Sequence, residues 1–243
     1  MTAPFLAKQV AIVTGGGRGF GRAIAEMLAG LGASVVVASR NAPELDEVVT
    51  EIKKQGGKAL AQTADVSDER QVQELVLATE RWVGPPTILV NNAGVLDPVG
   101  PLAESSGASW LRNIAINVGG TYLVTRAVLP GMLDRDYGRI VNISSGAADR
   151  ASAGWSAYCA AKAAVDQLTR VLAIEMEGSG VTVAAFHPGF MDIPMQERIP
   201  DPRDPARVVT YLCLPATERN GAILEIDDEE VARSAGAALG EVG

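Results

Sequence analysis

Near its start the chain runs from Val10-Ala-Ile-Val-Thr14 through Gly15-Gly-Gly-Arg-Gly-Phe-Gly21 into Ala23-Ile-Ala-Glu-Met-Leu28. An apolar run of strand length, a turn crowded with glycine and a helical pattern follow one another directly. Glycine lets a backbone turn sharply and lets other atoms approach it closely. A helix that begins in such a turn points its unpaired N–H groups outward, where they can receive a pyrophosphate. The segment is therefore expected to be the strand–turn–helix unit of a dinucleotide site, with Gly15, Arg18, Gly19, Phe20 and Gly21 at the nucleotide.

The same alternation continues along the chain. Strands are expected near Val10–Thr14, Ser34–Ser39, Ala59–Ala64, Thr87–Asn91, Gly138–Ile143, Val181–Phe186 and Ala222–Ile226. Helices are expected over about Gly21–Leu31, Pro43–Gln55, Asp68–Trp82, Ser105–Leu133, Ser156–Glu177 and Asp204–Leu212. Strands alternating with helices imply an α/β fold, a doubly wound parallel sheet of about seven strands with helices on both faces. With 243 residues this is one domain, residues 1–243, rather than two. The tail from Asp227 to Gly243 turns from acidic to Ala/Gly-rich; it can form a short helix packed on a partner or fray, and fraying is expected beyond about Ser234.

Charge and hydropathy remove several classes of partner. A formal net charge of −8 without a basic stripe disfavours nucleic acid and anionic membrane surfaces. The longest apolar runs are strand-sized, far short of a membrane span, and no secretory leader precedes the first strand, so a cytoplasmic protein is expected. Two cysteines, Cys159 and Cys213, do not suffice for a zinc site and are read as packing residues; no metal is expected.

Chemistry is carried by Tyr158 and Lys162, four residues apart in a run expected to be helical, hence on one face. A cation about 4 Å from a phenol at an effective dielectric of roughly 20 favours the phenolate by about 4 kcal/mol. That would bring a tyrosine from its ordinary pKa of about 10 towards 7, where it can serve as an acid or base. The single histidine, His187, lies before Pro188 at a strand end and is read as a residue near the site rather than part of a nucleophilic triad.

From about Lys8 to Ile226 the chain resembles the short-chain dehydrogenase/reductase family. The matching residues are Thr14-Gly15-x-x-x-Gly19-x-Gly21, Asp65-Val66, Asn91-Asn92-Ala93-Gly94, Asn117, Ser144-Ser145, Tyr158-x-x-x-Lys162 and Pro188-Gly189. The resemblance implies a single-domain Rossmann fold and a catalytic tetrad of Asn117, Ser145, Tyr158 and Lys162. Ser145 is chosen over Ser144 because it lies thirteen residues before the tyrosine. In that scheme Tyr158 gives a proton to a carbonyl oxygen, Ser145 hydrogen-bonds the same oxygen, Lys162 lowers the tyrosine's pKa and bonds the nicotinamide ribose, and Asn117 holds a water. Asp65, Val66, Asn91, Ala93, Gly94, Pro188 and Gly189 are implied to line the cofactor. Asn91 can also pin neighbouring strands, and Asp65 can serve as a turn or cap residue.

NAD-binding relatives end the second strand with a carboxylate; Ser39 followed by Arg40 stands here, so NADP(H) is expected, with Arg40 and Arg18 on its 2′-phosphate. Ile193 replaces a family threonine beyond Pro188-Gly189, and the segment between Met195 and Pro205 is short and proline-rich, opposing a helical lid. With Met195-Gln196 and Gly154-Trp155 this is similar to the sepiapterin reductase and benzil reductase branch, in which an acid near Asp192 can hold a polar substrate edge. Trp155 can line an aromatic wall or simply pack. The reaction implied is reduction of a ketone or diketone to an alcohol, a small-molecule carbonyl being the partner. A 3-oxoacyl thioester reductase and a non-catalytic NADP(H)-binding regulator are the alternatives. The runs Ser105–Leu133 and Ser156–Glu177 resemble the family's dimer helices, so a homodimer or homotetramer is expected.

Overall fold

Seven strands form one parallel sheet: β1 (Val10–Thr14), β2 (Ser34–Ser39), β3 (Lys58–Thr63), β4 (Ile88–Asn91), β5 (Gly138–Ile143), β6 (Val181–His187) and β7 (Ile223–Glu225). Their spatial order is β3-β2-β1-β4-β5-β6-β7. The chain runs outward from β1 in one direction, then returns to place β4 on the other side of β1. That reversal opens a crevice beyond the carboxyl ends of β1 and β4, the place where open α/β sheets take their ligands. The computed structural model describes residues 5–189, 203–215, 217, 219–226 and 228–239.

All five residues of β1 are buried, which is why its sequence is continuously apolar instead of alternating. Ala11 and Val13 enter one core, shared with helices α1 (Gly19–Gly30) and α2 (Ala42–Lys54), while Ile12 enters the other, shared with α3 (Glu69–Val83). Both faces are thus covered by helices. Each fully buried aliphatic side chain contributes about 1.5–3 kcal/mol, so a strand buried on both faces is expensive to disturb. Cys213 sits wholly buried in the first core, its thiol pushed up to about 12 by that burial, as suits an unreactive packing residue.

Strands fall within a residue or two of their expected positions, and two helical expectations change. The run expected to be one helix over Ser105–Leu133 is three pieces: α4 (Gly107–Ile114), a π turn (Ala115–Gly119) and α5 (Gly120–Asp134). The tail does not fray at Ser234. After α6 (Ser156–Glu175) and α7 (Arg203–Leu212), a further helix α8 runs over Glu229–Leu239. Asp228 caps it by accepting from the Glu230 and Val231 N–H groups, and Val231, Ala235 and Leu239 are buried in the first core. Their spacing of four is a helix stripe, which Ala and Gly between them disguise.

Candidate active site

The glycine turn is compressed against the loop that follows β4. Gly15 has φ +64, and a side-chain carbon on it would stand 2.8 Å from Asn92 Nδ2; one on Gly21 would collide with the Gly15 carbonyl. Asn92 locks the arrangement: its Nδ2 donates to the carbonyls of Thr14 (2.9 Å) and Gly15 (3.2 Å). Thr14 Oγ1 in turn accepts from the Asn92 and Ala93 N–H groups at 3.0 and 3.1 Å. Gly19 differs. At φ +53 it opens α1, and nothing lies within 4 Å of the place a side chain would occupy. A phosphate can reach the free N–H groups of α1 there.

From this turn a cleft of about 1380 Å³ passes over the ends of β1, β2 and β4. Arg18, Phe20, Ser39, Arg40, Asp65, Val66, Ala93 and Gly94 all line it. Arg40 Nη1 lies 3.9 Å from Asp65 Oδ2, both partly exposed. Asp65 Oδ1 accepts from the Ser67 N–H (3.0 Å) and hydroxyl (2.6 Å), so it shapes the turn into α3 as well as the cleft wall. Partial burial acts to raise the Asp65 carboxyl, but Ser67 and the Arg40 charge outweigh it and hold the group below its ordinary value. Asn91 sits behind the wall: buried, its amide donates to Thr125 Oγ1 and to Asn142 Oδ1 on β5, both at 2.9 Å. Glu44, in the first turn of α2, was not among the expected residues and also lines the cleft; its carboxylate and the Ser39 hydroxyl both flank Gly17.

Beyond the cleft's inner end the four expected catalytic residues come together. The π turn carries Asn117, whose Nδ2 donates to Val95 O (2.8 Å), Asn113 O and Asn113 Oδ1, and whose Oδ1 accepts from Val95 N. These bonds fasten the helix interruption to the loop after β4, the sort of site-adjacent bulge that π turns make. Gly94 fits beneath: a side-chain carbon on it would be 2.7 Å from Asn117 Oδ1 and 3.7 Å from Lys162 Nζ. Ser145 follows β5, caps a short 3₁₀ turn by accepting from Ala147 N, and is hydrogen-bonded to Tyr158. Trp155 precedes α6 and meets the Tyr158 ring edge-on, centroids 5.9 Å apart.

Proton chemistry runs opposite to the expectation for the tyrosine. Burial pushes the Tyr158 phenol above its ordinary pKa, and its hydrogen bond to Ser145 only partly offsets this. Lys162 Nζ stands 5.5 Å from the centre of the Tyr158 ring and donates to the Ile143 carbonyl at 2.7 Å. The ammonium is spent on the backbone of β5. Burial pushes Lys162 itself down to about 8, with Asp166, one helical turn on, opposing. In this state Tyr158 is a protonated donor, not a phenolate.

Pro188 is buried at the end of β6, and Gly189, at φ +76, turns beside Ile226. Asp192, Ile193, Met195, Gln196 and the proline-rich segment through Pro202 lie outside the described residues. Besides Glu44, Asp166 was not among the expected residues; its Oδ2 lies 2.9 Å from His187 Nε2. The signal was present in the spacing of four through Tyr158, Lys162 and Asp166, one face of α6.

Known proteins are similar to this chain in sequence and in fold. A family model described as short chain dehydrogenase matches residues 9–204. A short chain dehydrogenase of Pseudocercospora fijiensis is 39% identical over 186 residues, which are 76% of this chain and 60% of that protein, so the chain spans about three fifths of that relative's length. A 3-oxoacyl-[acyl-carrier-protein] reductase of Synechocystis sp. is 40% identical over 195 residues, 80% of this chain and 78% of that one. The crystal structure of levodione reductase superposes with a TM-score of 0.87 at 29% identity, covering 93% of this chain and 99% of that one.

Proposed function

The chain belongs to the short-chain dehydrogenase family of nicotinamide-dependent oxidoreductases, and from that premise we propose that it is an NADP(H)-dependent reductase of a ketone or diketone. The observation that carries the reading is the grouping of buried Lys162 with the partly exposed Ser145 and Tyr158, next to Gly94 on the wall of the glycine-turn cleft. A nicotinamide dinucleotide fits that cleft: Gly19 leaves its phosphates room, and Arg18 and Arg40 supply cations at the far end. When bound, its reduced ring supplies the hydride.

The protein's own part is to receive and hold the carbonyl. Tyr158, kept protonated by burial, gives its proton to the carbonyl oxygen, and the Ser145 hydroxyl hydrogen-bonds that oxygen as charge grows on it. Lys162 holds a positive charge near them at neutral pH, anchored on the Ile143 carbonyl. Asn117, through Val95 and Asn113, fixes the loop on which Gly94 approaches Lys162.

Preference for NADP(H) is supported by Arg18 and Arg40 on one cleft and by Ser39 at the place of the carboxylate in NAD-binding relatives. Glu44 acts against it, as a carboxylate on the same wall. The short-lid branch supplies the proposed substrate class, aromatic ketones and diketones beside Trp155. Reduction of a 3-oxoacyl thioester is the second reading, favoured by the 40% identical relative. Absorbance of the reduced nicotinamide, followed with aromatic diketones and with a 3-oxoacyl thioester, separates the two. Faster turnover of the diketones supports the proposal; faster turnover of the thioester supports the second reading; turnover of neither, with nucleotide still bound, leaves a regulator.

We further propose a homodimer in the cytoplasm, built on the outer faces of α5 and α6, where Tyr122 (49% exposed) and Ile174 (66% exposed) project with Val171 and Leu133. No helix among the described residues is long and apolar enough to cross a membrane.

A further inference from the structure

We propose that His187, Asp149 and Glu225 form a binding site for a divalent cation of the Zn²⁺ class, separate from the nucleotide cleft and joining the carboxyl ends of β5, β6 and β7. His187 and Glu225 end β6 and β7 as direct register partners. Asp149 comes to them from the 3₁₀ turn that Ser145 caps. His187 Nδ1 lies 3.9 Å from Asp149 Oδ2 and 3.7 Å from Glu225 Oε1, and the three ligand atoms lie within 4.8 Å of one another.

The histidine points to a ligand. It is 2% exposed, and among the described residues its Nδ1 has no hydrogen-bond partner although it is aimed between two carboxylates. Those carboxylates are too far away to accept a hydrogen bond from it, since N–H···O pairs close to about 2.7–3.2 Å. A simple ion pair of a charged histidine with its neighbours would have drawn them in. A cation bonded at about 2.0–2.2 Å to each donor instead needs an opening between them. The side chains of Asp149 and Glu225 are 60% and 48% exposed, free to close the remaining gap, while His187 is fixed.

What fixes it is Asp166, buried in α6, with Oδ2 at 2.9 Å from His187 Nε2. If Nδ1 carries the cation, the ring proton resides on Nε2 and is donated to Asp166. This is the carboxylate–histidine–metal arrangement that orients ligating imidazoles. One imidazole and two carboxylates suit a borderline cation such as Zn²⁺ better than Mg²⁺, which prefers oxygen donors and keeps its waters. The bound ion would tie the segment after Ser145 to β6 and β7, bracing the hydroxyl that meets the substrate.

The protein contains one histidine, so any imidazole ligation is His187's. Chelator-treated, tag-free protein is titrated with ZnCl₂ by calorimetry, with MgCl₂ as a parallel arm, and the His187 ring resonances are followed by NMR. The expected result is one Zn²⁺ per chain, a shift of the ring resonances, and binding weakened about tenfold or more in Asp149→Asn and in Glu225→Gln. Both carboxylates are exposed, so these variants test the site even if His187→Asn fails to fold. Absence of Zn²⁺ binding, unmoved ring resonances, unchanged affinity in both carboxamide variants, or equal affinity for Mg²⁺ each overturns the proposal.

Discussion

Burial drives the two ionisable groups of the site apart, lifting the Tyr158 phenol and lowering the Lys162 ammonium to about 8. Charged Lys162 costs the folded state stability at every pH below about 8, and the cost is relieved as pH rises through that value towards 10.5, where the unfolded chain also releases the proton. Wild type is therefore expected to gain roughly 2–4 kcal/mol relative to Lys162→Met over that window, read by urea unfolding at a series of pH values. Carbonyl reduction should be level below pH about 8 and fall above it, an inflection absent from Lys162→Met. At the other end of the cleft Arg40 and Glu44 oppose each other. Arg40→Asp should raise the Michaelis constant for NADPH about ten- to a hundredfold, the worth of one charge-assisted hydrogen bond, and barely move that for NADH. Glu44→Gln should lower it for NADPH. Equal effects on both nucleotides would contradict the 2′-phosphate assignment.

The π turn at Ala115–Gly119 shows where sequence reading stops. Strands β1, β2, β4, β5 and β6 were legible because each is a run mainly buried in the sheet, and the glycine turn because its neighbours on both sides are of the right kind. Nothing in Asn113 through Gly120 announces a π turn. It is held by Asn113 and Asn117 bonds to Val95, residues that meet only after the sheet has formed. Spacing puts Asp166 on the Tyr158 and Lys162 face of α6, but its pairing with His187, a contact between β6 and α6, is not legible for the same reason. Gly94 is the weak point of the π-turn device: in Gly94→Ala the new methyl would meet Asn117 Oδ1 and force Val95 and Asn117 apart. Folding should survive, as read by circular dichroism, while kcat falls about ten- to a hundredfold through misplacement of Lys162 and Asn117. An unchanged kcat would remove Asn117 from the positioning of the site.

As a whole the molecule puts its nucleotide cleft at the reversal of strand order, with Ser145 just after β5 and Tyr158 and Lys162 on α6, so the sheet itself sets their separation. The opposite, outward faces of α5 and α6 carry exposed Tyr122, Val171 and Ile174. Light scattering should give twice the 25.3 kDa chain mass, and Ile174→Lys should bring it down towards one chain. Such an assembly would leave the cleft chemistry intact, because Tyr158 and Lys162 lie on the other side of α6 from Val171 and Ile174. Tyr158→Phe addresses this chemistry most directly. It removes one hydroxyl from a packed ring, so binding of NADPH, followed by fluorescence, should stay within about twofold while diketone reduction falls about a hundredfold or more. Reduction at the wild-type rate with the nucleotide bound as before would contradict the assignment of Tyr158 as proton donor.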